Sequence, residues 1–550
     1  MKVLLIYPQR DPRSSVRTQF DWQRMHEILF WPFPVKTDGF LFNVLETLAS
    51  LTPPGVQVKL VNEKMTPINF DEPVDLVALT AMVTQAARAY EIADEFRRRG
   101  VPVVMGGYHP FSMSRSGREE EVLKHVDSIC TSEADHLWPR ILADAGTGRL
   151  QRVYRQEEFT DMGSVRHRIV TRPSQWFRFG NLSLQASRGC PFHCEFCSII
   201  TMLGNRMRYK APEQIVAELE PIYEKDVVGY TIGRLIFFVD DNIYGNPKQF
   251  KAILRGIIRL NRRYPRFKPY FGSQLTINVT KDEAALELMR EAGFAHILVG
   301  LESLDAHVLK SYVKHHNLRF DYDEAVATLR RYGIEIVASF IFGQDDETPA
   351  VFDRVFDFFD RNNIVYPYFN VLVPNNKQFE RVYEEGRILT MDWRLYDAQH
   401  TVFVPMRMRP LELQEGFVNL VSRVLSYPNI RKRLVNAYVN GRSRQVVLPY
   451  PLQVSVYVKT LATLALTGDR EGYRFVRELT PHLLANRLSM LQVLGQLDQH
   501  DFAVKNRQTL AEHPYDLDIP SWEERCGGGG GGGMPRSARP EPLSSRREDA

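Results

Sequence analysis

Short apolar runs alternate with amphipathic stretches through most of the first 400 residues, and this alternation restricts the architecture more than any other feature. VLLIYP (3–8), VQVKLVN (56–62), DLVALTAM (75–82), VPVVMGG (101–107) and VDSICTSEA (126–134) read as strands. AARAYEIADEFRRRG (86–100) has helical spacing and a glycine to stop it. Strands alternating with helices predict an α/β, doubly wound, Rossmann-like parallel sheet over residues 1–150. Ligands of such sheets lie beyond the carboxyl ends of the strands, here at residues 80–82, 106–109 and 131–133.

Residues 151–180 have no clean period and read as a linker with short elements. The alternation resumes at LSLQAS (182–187) and continues through RLIFFVDDN (234–242), PYFGSQLTIN (269–278), HILVGLES (296–303), EIVASFIFG (335–343) and FNVLVP (369–374). Helical segments such as PEQIVAELEPIYE (212–224) separate them. Six strand–helix units over 181–400 predict a TIM-like (β/α)6 barrel, complete or partial, with its site at the C-terminal face. Residues 401–520 read as a helical region and 521–550, with seven consecutive glycines at 527–533, as a disordered tail.

A chain of 550 residues is too long for one core. A net charge of +4 gives no argument for a nucleic-acid partner. MKVLLIYP lacks the features of a signal peptide, and no apolar run reaches the roughly 18 residues of a membrane span. The expected location is the cytoplasm. In a reducing compartment, clustered cysteines indicate a metal site rather than disulfides.

Such a cluster is present. SRGCPFHCEFCSI (187–199) holds three of the five cysteines, Cys190, Cys194 and Cys197, on one loop between a strand and a helix. Three thiolates can hold three irons of a [4Fe–4S] cube and leave the fourth iron open to a small molecule, whereas electron-transfer clusters are closed by four ligands. A zinc site completed by His193, or three structural thiols, are the alternatives. Cys130, in an apolar strand, and Cys526 read as ordinary cysteines.

The C-x3-C-x2-C spacing, with Phe196 before the third cysteine and a barrel pattern after it, resembles the signature of radical S-adenosylmethionine (SAM) enzymes over roughly residues 180–400. The resemblance implies that the open iron chelates SAM. One electron then cleaves the sulfonium, and a 5′-deoxyadenosyl radical abstracts hydrogen from an unactivated carbon. An external one-electron reductant, flavodoxin- or ferredoxin-like, and a small-molecule substrate are implied as partners. Phe196 would pack near adenine. Asp240 and Asp241 would receive the SAM ammonium, or cap a helix. Gln274 and Thr276 point from the third strand. Glu302 would accept from the ribose, or form an ion pair. SFIFGQDD (339–346) resembles the family's G-x-I-x-G-x-x-E element, with Ser339 in the first glycine position and Asp346 in the glutamate position.

LTAM (79–82), VVMGGYHP (103–110) and TSEADHLWP (131–139) are together similar to the cobalamin-binding domain that precedes many radical SAM barrels. The resemblance places Thr80, Gly106, Gly107 and Glu133 around the cofactor's nucleotide tail; a plain tight turn is the alternative for the diglycine. The D-x-H-x-x-G motif that ligates cobalt is absent: DPRSSV (11–16) has no histidine, and His26 and His109 read as surface or loop histidines. Residues 368–397 resemble the segment after the barrel in the subgroup of hopanoid methylases and the anaerobic Mg-protoporphyrin ester cyclase, except that Pro374-Asn375-Asn376 replaces Pro-Gly-Thr.

These resemblances imply a cobalamin-dependent radical SAM enzyme with [4Fe–4S], SAM and cobalamin as cofactors, most simply a C-methyltransferase. A cyclase or rearrangement catalyst, and a non-catalytic binding module, are the rivals. HH (315–316) with Lys314 and Arg319 reads as a solvated helix end, and RKRLVNAYVNGRSRQ (431–445) as a helix with a solvated cationic face. The aromatics of WPFP (31–34), QWFRFG (175–180) and VYPYF (365–369) read as core, or as walls of an apolar pocket.

Overall fold

A computed structural model describes residues 1–10, 23–30, 38–40, 43–166, 179–224, 235–265, 267, 269–373, 376–441, 443, 445, 450–511 and 515–526. The calls on 11–16, 31–34, 175–178, Pro374-Asn375, the side chain of His26 and the glycine tail lie outside the described residues.

The first sheet has six strands, all parallel. In chain order they are Lys2–Tyr7, Gln57–Asn62, Leu76–Thr80, Val103–Gly106, Ser128–Cys130 and Val153–Tyr154, arranged 2-1-3-4-5-6. That is the flavodoxin-like order, whose switch point lies between the first and third strands. Lys2–Tyr7 and Leu76–Thr80 are buried over four consecutive residues, as befits strands covered on both faces. The sixth strand falls in the stretch read as linker. A two-residue edge strand carries no measurable period, so sequence reasoning had nothing to detect.

The second sheet holds the six barrel strands in sequence order: Phe179–Leu184, Leu235–Phe238, Tyr270–Gln274, Phe294–Glu302, Glu335–Phe342 and Tyr366–Val371. Among the described residues the first and sixth strands do not pair, so the barrel is partial. Its open edge is extended by Asp38–Phe40, parallel to Phe179–Leu184. Helix Gln23–Phe30 likewise packs on Met490–Leu510 and Tyr450–Leu466, and the Arg24 backbone N–H donates to Asp498 at 2.8 Å. The expected first domain therefore contributes Gln23–Phe30 and Asp38–Phe40 to the other half of the molecule.

One apolar core runs from the barrel interior into the C-terminal helices; Pro410–Val424 lies on Ala350–Asn362, with Phe417 against Phe342. The expected tail begins with order. Ser521 and Glu524 form a capping box for the turn Trp522–Arg525, and the Trp522 N–H donates to Pro405. No helix among the described residues is long and apolar enough to cross a membrane.

Candidate functional site

The carboxyl ends of the two sheets face a common region, and the cysteine loop lies in it. The loop leaves the first barrel strand and is closed by a two-residue antiparallel ladder, Ser187–Arg188 with Arg208–Tyr209. Inside it, the Cys190 N–H donates to Gly204 at 3.3 Å and the Cys197 N–H to Cys194 at 3.1 Å. Burial raises all three thiol pKa values, that of Cys197 to about 12. Cys190 and Cys194 each raise Cys197 further, so the three sulfurs share one electrostatic neighbourhood. Thiols held neutral by burial and by one another are deprotonated once a cationic iron core binds them. Asn242, absent from the sequence-level candidates, donates to Cys190 Sγ at 3.9 Å and accepts from Thr276 at 3.5 Å.

His193 is exposed. Among the described residues, no three His, Cys, Asp or Glu side chains are gathered closely enough to grip one metal ion. A tetrahedral zinc site would need that convergence; thiolates on separate corners of a cube do not. The residues fit an iron–sulfur cube better than mononuclear zinc.

The two aspartates at the end of the second strand have different tasks. Asp240 is fully buried and accepts from the Ala186 N–H at 3.1 Å and Ser187 Oγ at 2.5 Å, pinning the start of the cysteine loop. Burial pushes its carboxyl up to about 6. Asp241 is half-buried, and burial followed by the charge of Asp240 pushes it up to about 7. Its charge reaches Cys190, Cys197 and Tyr108, which places it among the thiols and available to a cation. Neither is a helix cap; Asn246 caps the following helix.

Glu302 has φ +64, and its Oε1 accepts from Lys314 Nζ at 2.6 Å, so the ion pair exists. Its Oε2 is buried without a partner, leaving one acceptor for a ligand. Lys314 corrects the reading of 314–319 as solvated. It is 6% exposed, and although burial pulls its ammonium pKa down, Glu302 and the nearby cysteines hold it above the ordinary value. Its ammonium lies 5.5 Å from the Phe196 ring centroid. His316 stacks on Phe192 at 3.8 Å. The segment lies against the cysteine loop because its cation has a carboxylate twelve residues upstream.

Gln274 is half-buried at the third strand's end. Ser339 is buried beside Gly300. In the fifth-strand element the carboxylate bonded to the turn is Glu347, one residue after Asp346. Glu347 Oε2 accepts from the Gly343 and Gln344 N–H groups at 3.0 and 3.2 Å, whereas Asp346 faces exposed His307.

In the first sheet, Gly107 has φ +97, and a Cβ there would lie 2.9 Å from Ala81 O and Thr80 Oγ1. It is a backbone necessity of the turn. Gly106 is different: an added Cβ would meet only Cys130, at 3.7 Å and beyond, so a ligand can approach it. Thr131 Oγ1, at the end of the neighbouring strand, is buried without a partner. An open glycine beside an orphaned hydroxyl at a strand end suits a nucleotide tail. Glu133 is not free for that role. It accepts from Arg188, Arg208 and the Thr160 N–H at 2.8–3.1 Å. His109 is not at the surface but 1% exposed, bonded to Tyr90, with burial pulling its pKa down to about 3. The apolar strand before it and the aromatic side chains around it bury it.

The family described as the Radical SAM superfamily matches residues 184–359. The chain is 30% identical to bacteriochlorophyllide d C-8(2)-methyltransferase of Chlorobaculum tepidum over 71% of this chain and 86% of that protein. It is 30% identical to hopanoid C-2 methylase of Rhodopseudomonas palustris over 72% of each. Among solved structures, the radical SAM methyltransferase TsrM of Kitasatospora setae, with cobalamin and a [4Fe–4S] cluster bound, has a TM-score of 0.55 at 16% identity, covering 71% of this chain and 79% of that one.

Proposed function

Because the chain belongs to the radical SAM superfamily, we propose that it is a cobalamin-dependent methyltransferase acting on an unactivated carbon of a small, secondary-metabolite or lipid-like molecule. The observation that carries the reading is the presence on one loop of three half-buried thiols within one electrostatic neighbourhood, with Asp241 and the half-satisfied Glu302 at the strand ends beside them. The relatives named for C-methylation support it over cyclisation.

When bound, the cluster supplies the electron that splits SAM to methionine and a 5′-deoxyadenosyl radical, and cobalamin carries the methyl group that is delivered. Cys190, Cys194 and Cys197 would hold three irons. Asp241 would take the SAM ammonium, a cation that favours the charged carboxylate which burial and Asp240 disfavour. Asp240 would act by fixing the loop that carries the cysteines. Glu302 Oε2 would accept from a ribose hydroxyl while Lys314 balances its charge. Gln274, Ser339 and Phe196 would line the SAM side, and Thr80, Gly106 and Thr131 the cobalamin side. A cytoplasmic location and a flavodoxin- or ferredoxin-like electron donor complete the reading.

The test is anaerobic reconstitution with iron, sulfide, dithionite and SAM. Formation of 5′-deoxyadenosine that disappears in Cys190→Ala is expected. Its absence from protein holding a full cluster would overturn the enzyme reading, and an accepted substrate gaining no methyl mass would overturn methyl transfer.

A further inference from the structure

The ladder that closes the cysteine loop places two arginines directly opposite each other, Arg188 and Arg208. Like charges at paired positions repel, and both side chains are nearly buried, at 10% and 13% exposure. The compensating carboxylates come from the first sheet, in the turn after Ser128–Cys130. Arg188 makes a two-pronged contact with Asp135 at 2.5 and 3.0 Å and a third bond to Glu133 at 2.9 Å. Arg208 donates to both Glu133 oxygens, and also to Leu203 O inside the loop. The four charges sum to zero, and the carboxylates are 2% and 7% exposed. Apolar residues of similar volume would stabilise such a contact as well or better. What ions add is a fixed register, since two-pronged arginine–carboxylate geometry tolerates little sliding.

We infer that Glu133, Asp135, Arg188 and Arg208 form a positioning clamp that registers the cysteine loop against the cobalamin-binding edge of the first sheet, so that methyl transfer to cobalamin depends on it while SAM cleavage does not. The inference rests on the methyltransferase reading.

The test uses full-length protein with Asp135→Asn, which keeps shape and loses the charge. In reconstituted protein, iron content and 5′-deoxyadenosine formation stay within about twofold of wild type. With titanium(III) citrate reducing added hydroxocobalamin to cob(I)alamin, transfer of labelled methyl from SAM, which leaves S-adenosylhomocysteine and methylcobalamin, falls about tenfold or more, about 1.4 kcal/mol, and Asp135→Glu restores part of it. In cofactor-free protein, hydrogen exchange of residues 187–209 speeds up while that of Phe294–Glu302 does not. Unchanged methyl transfer with unchanged exchange would overturn the clamp. So would a parallel fall in cluster content, 5′-deoxyadenosine and methyl transfer, the mark of a merely structural contact. If Asp135→Asn fails to fold, Glu133→Gln carries the same comparison. Should wild-type protein cleave SAM yet transfer no methyl group, the methyltransferase reading fails, and the exchange comparison alone decides the clamp.

Discussion

Replacing Gly107 by alanine separates the two glycines of the diglycine and can be sized from geometry. At φ +97 and ψ −168, Gly107 occupies a region essentially reserved for glycine, where another residue costs about 1–3 kcal/mol. The new Cβ would also sit 2.9 Å from Ala81 O and Thr80 Oγ1 and 3.0 Å from Ala81 N. Ala81 cannot yield easily, since its N–H donates to Gly106 O and its carbonyl accepts from the His109 N–H at 2.9 Å. Overpacking of this kind adds about 1–3 kcal/mol. The sum, about 2–6 kcal/mol, is a large part of the roughly 5–15 kcal/mol that holds a domain folded. Gly106→Ala, with nothing nearer than 3.7 Å, changes stability by about 0.5 kcal/mol or less. A chain with more than one unit does not melt in a single transition, so the assay is hydrogen exchange of residues 76–81 and 103–109 in cofactor-free protein, together with thermal melting. Gly107→Ala should expose these segments and lower the first transition. Gly106→Ala should leave both intact and weaken cobalamin binding. Equal protection in the two variants would refute the steric argument.

Lys314→Met leaves the Glu302 carboxylate buried and unpaired, and should destabilise the cofactor-free protein by about 3–5 kcal/mol in denaturant titration. Adding Glu302→Gln to it should recover most of that loss. Burial pushes Glu347 up to about 8, above its ordinary 4.5, so the native state binds this proton more tightly than the unfolded chain. Its contribution is complete below about pH 4.5 and is lost as pH rises through 8, with a slope of up to about 1.4 kcal/mol per unit. Glu347→Gln should flatten that fall, measured as the difference between the two melting-temperature profiles from pH 5 to 8. Cys190→Ala, Cys194→Ala and Cys197→Ala should each abolish the reconstituted iron–sulfur absorption, and a variant that retains it would remove that cysteine from the ligand set.

Both sheets were legible because each contains strands that are mostly apolar and buried. Lys2–Tyr7, Leu76–Thr80 and Glu335–Phe342 announce themselves by composition alone. The cysteine loop was legible because its chemistry is local: three thiols within eight positions. What escaped was short or distant. Val153–Tyr154 has no period to detect, and the membership of Asp38–Phe40 in the barrel sheet depends on a partner about 140 positions downstream.

Two charged residues show what sequence alone misreads. Lys314 reads as solvated because a lone charge in a sequence has no visible partner, and Glu133 reads as a ligand because a resemblance to a cobalamin-binding domain places it there. In the fold each partner lies on another element, Glu302 for Lys314 and the two arginines of the loop closure for Glu133. The Glu133 pairing ends on the cysteine loop, and the Lys314 pairing lies beside it. The loop carries three half-buried thiols and several apolar side chains, yet none of residues 190–203 is fully buried. Buried ions add to that packing: the arginine–carboxylate set bonds the loop's ends to the first sheet, and Lys314, paired with Glu302, lies 5.5 Å from the Phe196 ring. Neither can be inferred until the carboxyl ends of the two sheets are placed together. The spacing of the cysteines therefore specifies what the loop binds, whereas where that cargo stands relative to the first sheet is specified by residues that sequence motifs do not contain.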